Sequence, residues 1–338
     1  IGEADRILLY SAARVILDGE NGLLHSQLAE LLRQPVALPP FAPTVSPDEI
    51  ERQVIKPTVT PRPTDLRFDN GLGGFSADGR EYVIYLEPNT PTNATPAPWI
   101  NVIANDRFGF LVSEAGSGYT WADNSGENRL TTWRNDPVGD QPGEALYLRD
   151  EESGEIWSPT PLPTPATAPY LVRHGAGYTT FEHASHGLAH YLRLFIAPDS
   201  PVKIVQLRLE NQTSRPRRIT ATYYAEWVLG VDHAATQPFL VPEYTAEGRA
   251  LLVRNPYSAE FGEAVAFLAA NKEPHGLTGD RTEFLGRLGS LRRPVALGRV
   301  GLSGRVEAGL DPCAAMQLHI DLPTGGIETI YFLIGQEA

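Results

Sequence analysis

The chain has 338 residues, of which 42% are hydrophobic and 20% are charged, and its formal net charge is -13. This composition is typical of a folded globular protein and excludes a disordered chain or a long coiled coil. The negative charge argues against nucleic acid as a partner, because phosphate-backbone binding depends on clustered Lys and Arg, and the basic groups at residues 215–218 and 292–293 are short.

Residues 1–34 predict a helical segment. Apolar residues recur at helical spacing between Ala4 and Leu32, and Gly19 and Gly22 interrupt the pattern, which predicts two short helices. The chain begins at Ile1 without an initiator Met or a signal peptide, and no apolar run reaches the roughly 18 to 20 residues of a membrane-spanning helix. We therefore expect part of a longer protein that does not itself insert into a membrane.

Residues 35–65 predict a proline-rich linker. Prolines recur from Pro35 to Pro63, and each removes a backbone donor and disfavours helix in the residue before it. We expect an extended chain with one helical turn at residues 48–54.

Residues 66–338 predict a large β domain. β-branched and aromatic residues are concentrated in short segments, and residues 205–210 alternate apolar with polar side chains. Few segments after residue 65 have helical periodicity, so the fold class should be mainly β, an antiparallel sandwich rather than a parallel α/β sheet. The predicted strands are 82–86, 146–148, 191–196, 202–209, 219–228, 264–269, 314–320 and 329–333.

Two connections, residues 113–141 and 158–169, are too long for simple hairpins, and such loops are usually functional or partner-facing. The first combines flat rings with planar donors and acceptors, which suits the apolar face and hydroxyl rim of a sugar. An alternative is that the tryptophans anchor the loop while the polar residues cap turns. The candidate ligand-binding residues here are Tyr119, Trp121, Asp123, Asn128, Arg129, Trp133 and Arg134.

The segment 170–187 mixes rings, charges and glycines instead of alternating as a strand interior does, so we expect it at a ligand or partner surface. Its candidate ligand-binding residues are Arg173, His174 and Tyr178. Histidines follow at positions 183, 186 and 190. They could bind zinc, or they could be structural residues that form hydrogen bonds. On a strand, positions 183 and 186 would face opposite sides, and Gly187 disfavours a helix, so we favour structural histidines and predict no metal site.

Catalytic chemistry has weaker support. Asp123, Glu127 and Asp136 supply carboxylates of the kind that cleave glycosides in pairs, but sequence spacing does not fix their separation, and solvated or turn-capping carboxylates are the interpretation we favour. The single cysteine, Cys313, has no partner for an internal disulfide, and we expect a buried structural thiol.

Seven separate segments, in order along the chain, carry a resemblance to a known family. They are FDNGLGGFSADGREYVI (68–84), PAPWINVIANDRFGFLVSEAGSGYTWADNSGENRLTTWRNDPV (96–138), YLRDEESGEIWSPTPLP (147–163), VRHGAGYTTFEH (172–183), TATYYAEWVLG (220–230), GDRTEFLGR (279–287) and GLDPCAAMQLHIDL (309–322). These segments resemble the amino-terminal β-supersandwich of the glycoside hydrolase family that contains cellobiose and chitobiose phosphorylases, and their sequence is most similar to the cyclic β-1,2-glucan synthase branch. The resemblance covers about residues 66–338.

This resemblance implies a galactose mutarotase-like supersandwich, a β-glucan or glucooligosaccharide ligand, and a cytoplasmic setting with the parent protein anchored in the inner membrane. It also implies that catalysis belongs to a carboxyl-terminal (α/α)6 barrel, so no catalytic residue is assigned to this chain. The resemblance implies no cofactor, although the parent enzyme could use inorganic phosphate as a co-substrate.

Three hypotheses follow. The leading one is a carbohydrate-binding or scaffold domain of a β-glucan phosphorylase or glucan synthase. The second is an interaction module that packs on the barrel or forms a homodimer without binding sugar. The third is an autonomous glycoside-active enzyme that uses a carboxylate such as Glu182 or Asp136.

Overall fold

A computed structural model describes residues 2–13, 16–17, 19, 22–31, 38–55, 60–87 and 95–337. Leu32, Pro35, Pro57 and Ala338, which belong to predicted segments, lie outside the described residues. The helices are α1 (Glu3–Ala12), α2 (Leu24–Leu31), α3 (Pro47–Glu51), α4 (His233–Thr236) and α5 (Arg281–Leu285). The strands are β1 (Gly73–Phe75), β2 (Glu81–Leu86), β3 (Ile100–Ala104), β4 (Phe108–Ser113), β5 (Gly118–Ala122), β6 (Arg129–Thr131), β7 (Glu144–Asp150), β8 (Ile156–Trp157), β9 (Tyr170–Gly175), β10 (Tyr178–Ser185), β11 (Leu188–Ile196), β12 (Val202–Asn211), β13 (Arg217–Gly230), β14 (Val241–Thr245), β15 (Ala250–Arg254), β16 (Val265–Ala270), β17 (Gly276–Asp280), β18 (Pro312–Leu322) and β19 (Ile327–Glu337).

The described strands form two antiparallel sheets, as the composition predicted. One sheet has ten strands in the order β1-β2-β9-β10-β11-β12-β19-β16-β15-β14. The other has nine strands, with the path β17-β18-β13-β6-β5-β4-β3 and with β7 between β13 and β8. The long strand β13 pairs with β18 over one edge and with β7 and then β6 over the other, so it brings distant parts of the chain together.

The main core lies between the inner faces of the two sheets. On β12, Val205, Leu207 and Leu209 are buried, whereas the residues between them are half-buried, which confirms the alternation seen in the sequence. Each such fully buried side chain contributes roughly 1.5 to 3 kcal/mol. A second cluster covers part of the outer face of the nine-stranded sheet, where α5 and the 3-10 turn Val295–Gly298 pack on Tyr147 and Tyr224. Cys313 is buried in this second cluster, as expected.

The described part of the proline-rich segment is docked along the sandwich. The Phe41 amide donates to the Gly298 carbonyl at 2.9 Å, the Thr44 amide donates to the Glu152 carbonyl at 2.7 Å, and the Ile55 amide donates to the Gln212 carbonyl at 2.9 Å. Ile50 of α3 is 1% exposed. The predicted helical turn is therefore present, and it is an anchor. None of the helices among the described residues is long and apolar enough to cross a membrane.

One expectation about loops was wrong. Residues 113–141 are not one long loop, because β5 and β6 form strands of the nine-stranded sheet within it. Residues 170–187, which we expected at a ligand or partner surface, include β9 and β10, and these pair in register as a hairpin inside the ten-stranded sheet. On β5 the rings of Tyr119 and Trp121 face outward, and on β10 His183 faces inward beside Phe181, so neither strand shows a simple alternation of apolar and polar residues.

Candidate functional site

Three aromatic rings meet on the outer face of β5 and just beyond β6. The Tyr119 ring centre lies 5.2 Å from that of Trp121 and 4.7 Å from that of Trp133. Tyr119 is 8% exposed and its hydroxyl donates to the Ser125 carbonyl at 3.1 Å, so it forms the base on which two half-buried indoles rest. Thr120 and Ala122, the alternate residues of β5, face the core. Strand alternation therefore places the predicted rings together on the outside.

The Trp121 indole lies directly against β4. Gly109 opposes Trp121 in the strand pairing, and a Cβ added at this glycine would lie 2.2 Å from Cζ2 of the indole. A larger residue at position 109 would push the ring away from the sheet. One face of the indole is thus covered by backbone, which fixes the orientation of the ring.

Arginines flank the rings. The Arg129 guanidinium carbon lies 5.7 Å from the Tyr119 ring centre, and Nη2 of Arg134 donates to Oε1 of Glu226 at 3.2 Å. We define the aromatic hairpin surface as Tyr119, Trp121, Arg129, Trp133 and Arg134. It combines open ring area with fixed planar donors, which is the chemistry that a sugar face and its hydroxyl rim require.

A charge network lies beside this surface. Glu226 on β13 is 2% exposed, and its second oxygen accepts from Nε of Arg281 at 3.1 Å. Nη1 of Arg281 also donates to Oδ2 of Asp311 at 3.1 Å, and Oδ1 of Asp311 lies 2.9 Å from Nε2 of His233. Arg134 is therefore the outermost member of a bonded chain of five side chains.

Burial and pairing oppose each other in this network. Burial disfavours the charged form of His233, but hydrogen bonds to Asp311 and to the Trp227 carbonyl outweigh it and raise the pKa of His233 above its ordinary value. Burial likewise disfavours the Asp311 carboxylate, but hydrogen bonding from His233 and the charge of Arg281 lower its pKa. Both effects favour an ion pair.

The sequence reasoning missed Glu226, Arg281, Asp311 and His233 as members of the site. A usable signal was present, since Glu226 lies in TATYYAEWVLG, Arg281 in GDRTEFLGR and Asp311 in GLDPCAAMQLHIDL. Each of these otherwise separate segments contributes one charged residue to the network. Their meeting depends on the pairing of β13 with β18, which sequence periodicity does not reveal.

Two other predicted residues of this region have different roles. Asn128 is 1% exposed and its amide donates to Oε1 of Gln336 at 2.7 Å, so it links the hairpin to β19 and is not available to a ligand. Asp123 is exposed, has a φ of 55°, and pairs with Nε of Arg107 at 3.3 Å in the turn after β5.

Arg173 and Tyr178 belong to the other sheet. Arg173 pairs with Glu81 at 3.0 Å and with Glu182 at 3.2 Å, and the Tyr178 hydroxyl donates to Oε1 of Glu81 at 2.6 Å. These residues lie on the outer face of the ten-stranded sheet. The structure therefore divides the ten predicted ligand residues between two sheets and does not bring them into one site.

His174 faces the opposite side of its strand from Arg173. Its Nε2 lies 3.0 Å from the Trp99 carbonyl oxygen and its Nδ1 lies 3.0 Å from the Thr179 hydroxyl. Burial lowers the pKa of His174 to about 4, so the ring is neutral at pH 7. It links β9 to the chain before β3 and is not placed to meet a ligand together with Arg173.

The other histidines of this region are hydrogen-bonded, as we favoured. The Ser185 hydroxyl lies 2.8 Å from Nε2 of His183 and 2.8 Å from Nδ1 of His186. His186 lies in a turn with a φ of 54°, not on a strand, and its ring stacks on Trp157 at 4.1 Å. Nε2 of His190 accepts from the Trp157 indole at 3.0 Å. Among the described residues, no three His, Cys, Asp or Glu side chains are placed to hold a metal ion.

The carboxylates proposed for catalysis have structural partners. Asp136 accepts from the Val138 amide at 3.0 Å, and backbone hydrogen bonds from Val138 and Gly139 lower its pKa. Glu182 is held by Arg173. A general acid needs a raised pKa, so Asp136 is poorly suited to that role.

Comparisons with known proteins identify the domain. The sequence profile described as "Glycosyl hydrolase 94, supersandwich domain" matches residues 80–338. The cyclic beta-(1,2)-glucan synthase NdvB of Rhizobium meliloti (strain 1021) is 34% identical over 338 aligned residues, which cover 97% of this chain and 12% of that protein. The N,N'-diacetylchitobiose phosphorylase of Vibrio furnissii is 28% identical over 260 residues, which cover 75% of this chain and 32% of that protein.

Among solved structures, a galactose mutarotase related enzyme from Lactobacillus acidophilus matches with a TM-score of 0.42 and 8% identity, covering 71% of this chain and 98% of that one. The chain spans about an eighth of the synthase's length and about a third of the phosphorylase's. The profile match covers more than half of the 338 residues. The chain therefore belongs to the glycosyl hydrolase 94 supersandwich domain family.

Proposed function

We propose that this chain is a carbohydrate-binding and scaffold domain of a β-glucan synthase or glycoside phosphorylase, whose chemistry takes place in an (α/α)6 barrel elsewhere in the parent protein. The names of the relatives support a glucoside context. The ligand we propose is a β-linked glucooligosaccharide.

The aromatic hairpin surface carries this proposal. Trp121 and Trp133 flank Tyr119, and the backbone at Gly109 and the Tyr119 ring hold them in place. Rings that are already oriented lose little conformational entropy when a sugar stacks on them. The Glu226 carboxylate orients Arg134 beside the rings in the same way.

Calorimetric titration of the chain with β-1,2-glucooligosaccharides tests the proposal. We expect weak binding, with a Kd on the order of 1 mM, because only two indoles offer open ring area. Trp121→Ala and Trp133→Ala should each weaken binding by roughly fivefold or more, since a ring stack contributes about 1 kcal/mol. Tyr257→Ala is the control, because Tyr257 is 61% exposed and its ring stacks on Phe239 and not on the rings of the hairpin.

The absence of binding heat with every β-glucan tested would count against a sugar-binding role. Equal weakening by Tyr257→Ala would also contradict it, because the effect would then not depend on the hairpin. Circular dichroism of each variant separates loss of binding from loss of the fold.

One observation favours the second candidate, an interaction surface that packs on the barrel or on a second copy. Val138 is 94% exposed in the loop that follows Trp133, so its side chain is available for such a contact. In that case sedimentation should show a dimer that Val138→Ser dissociates, while titration with glucans gives no heat. If the chain sediments as a monomer at all concentrations, the surface does not form a dimer, and the barrel is the only partner that this second candidate retains.

A further inference from the structure

Positive charge is concentrated in one loop of this acidic chain. Residues 284–306 contain five arginines and no Asp or Glu, whereas the whole chain has a net charge of -13. Arg305 is neutralised by Asp280 at 3.6 Å and Glu307 at 3.4 Å. Within the described part of the chain, Arg287, Arg292 and Arg293 have no such ion pair, and all three are exposed. We call residues 286–294 the basic loop.

The backbone of the basic loop is held in place. The Tyr147 hydroxyl donates to the Leu291 carbonyl at 2.8 Å, and the Thr164 hydroxyl donates to the Arg292 carbonyl at 2.9 Å. At the turn, a Cβ on Gly289 would lie 1.7 Å from the Leu285 carbonyl oxygen, so the chain can bend there only because that residue is glycine. These contacts use backbone atoms, so the fold needs none of the three guanidinium groups.

Leu288 at the tip of the basic loop is 100% exposed. It lies next to Arg287 and close in sequence to Arg292 and Arg293. A leucine that contacts nothing in its own fold gains from transfer into an apolar phase. Peripheral membrane proteins bind at the boundary between headgroups and acyl chains by inserting apolar side chains that are flanked by basic residues. Leu288 and the neighbouring arginines have this composition.

We infer that the basic loop is a peripheral contact site for an anionic phospholipid surface. Guanidinium groups match phosphate oxygens in a bidentate geometry, and an anionic surface attracts each added arginine. A nucleic acid or free phosphate would satisfy the arginines but would offer no apolar phase to Leu288. Because three arginines and one leucine supply the contact, we expect it to be superficial and reversible.

Flotation of the 338-residue chain with vesicles of phosphatidylcholine, with or without phosphatidylglycerol, tests the inference. We expect binding only when phosphatidylglycerol is present, and loss of binding at about 1 M salt, where the Debye length falls to about 3 Å. Replacing Arg287, Arg292 and Arg293 together by Gln should lower the partition coefficient about a hundredfold. Leu288→Ser should lower it roughly fivefold.

A matched control removes the same charge elsewhere. Arg52, Arg80 and Arg254 are exposed residues outside the basic loop, and their triple replacement by Gln should leave partitioning within about twofold. Equal loss in both triple variants, or no binding to phosphatidylglycerol at low salt, would overturn the inference. So would tight binding to double-stranded DNA that Leu288→Ser leaves unchanged, because the loop would then be a general polyanion site.

Discussion

Glu226 is the residue on which the arginines of the aromatic hairpin surface depend. Its side chain is 3% exposed, and it accepts from Arg134 at 3.2 Å and from Arg281 at 3.1 Å. Glu226→Gln removes the charge but keeps one acceptor oxygen. We expect the free energy of unfolding to fall by about 2 kcal/mol, because hydrogen bonds to charged groups contribute more than neutral ones. Urea denaturation followed by circular dichroism measures this change.

Glu182→Gln provides the comparison. Glu182 also pairs with an arginine, but its side chain is 37% exposed and Arg173 keeps Glu81 as a second partner. Exposed pairs contribute about 1 kcal/mol or less. If the two variants lose the same free energy, Glu226 is not the organising residue of the network.

At the residue scale, the sequence predicted the site only in part. The rings at Tyr119, Trp121 and Trp133 were predicted together, and they do meet, because they lie close along the chain and on one face of a hairpin. Asn128 was wrongly predicted as a ligand residue, since nothing local shows that its amide meets Gln336. A residue's partner more than two hundred positions away is set by the topology of the sheets and not by local pattern.

At the element scale, long strands such as β12 and β13 were predicted correctly, whereas most short strands were missed, including the apolar β4 and β15. In β5, β6, β9 and β10, which were also missed, rings and charges on one face hide the period-2 signal. Lys203 on β12 shows the opposite difficulty, because it is a charged residue on the buried face of a strand. It occupies a core-facing position, where its ammonium lies 2.7 Å from Oε2 of Glu144 on β7.

The Lys203 and Glu144 pair joins the two sheets through the core. Glu144 also accepts from Thr131 at 2.7 Å and from the Tyr223 hydroxyl at 2.6 Å. Burial opposes the Glu144 carboxylate, but Lys203 lowers its pKa below the ordinary value. Lys203→Met leaves this carboxylate buried without a cation, so we expect a loss of about 3 to 5 kcal/mol in unfolding free energy.

The loss should depend on pH. Without Lys203, burial would raise the pKa of Glu144 above its unfolded value, so stability would be present at low pH and lost as the pH rises through the folded pKa. Urea midpoints at about pH 5 and pH 8 should therefore differ more from the wild type at the higher pH. Lys272→Met, which breaks the half-exposed pair with Glu328, should cost less than about 1 kcal/mol at both.

At the scale of the whole molecule, two effects make opposite predictions for stability in mild acid. The net charge of -13 and a pI near 5.1 imply that repulsion between carboxylates declines towards pH 5. Against this, burial lowers the pKa of His174, His183 and His186 each to about 4, while an unfolded histidine takes up its proton near 6.5. Each neutral imidazole thus contributes stability above pH 6.5 that is lost as the pH falls towards 4.

We expect the histidines to dominate, because each contributes up to about 1.4 kcal/mol per pH unit within that window, whereas charges spread over the surface are screened by salt. Urea midpoints should therefore decrease steadily from about pH 7 to pH 4.5. His183→Gln should lower stability at every pH but make this slope shallower by about one proton, since His183 is 2% exposed and neutral in the fold. A stability maximum near pH 5 would show instead that relief of net charge outweighs the buried imidazoles.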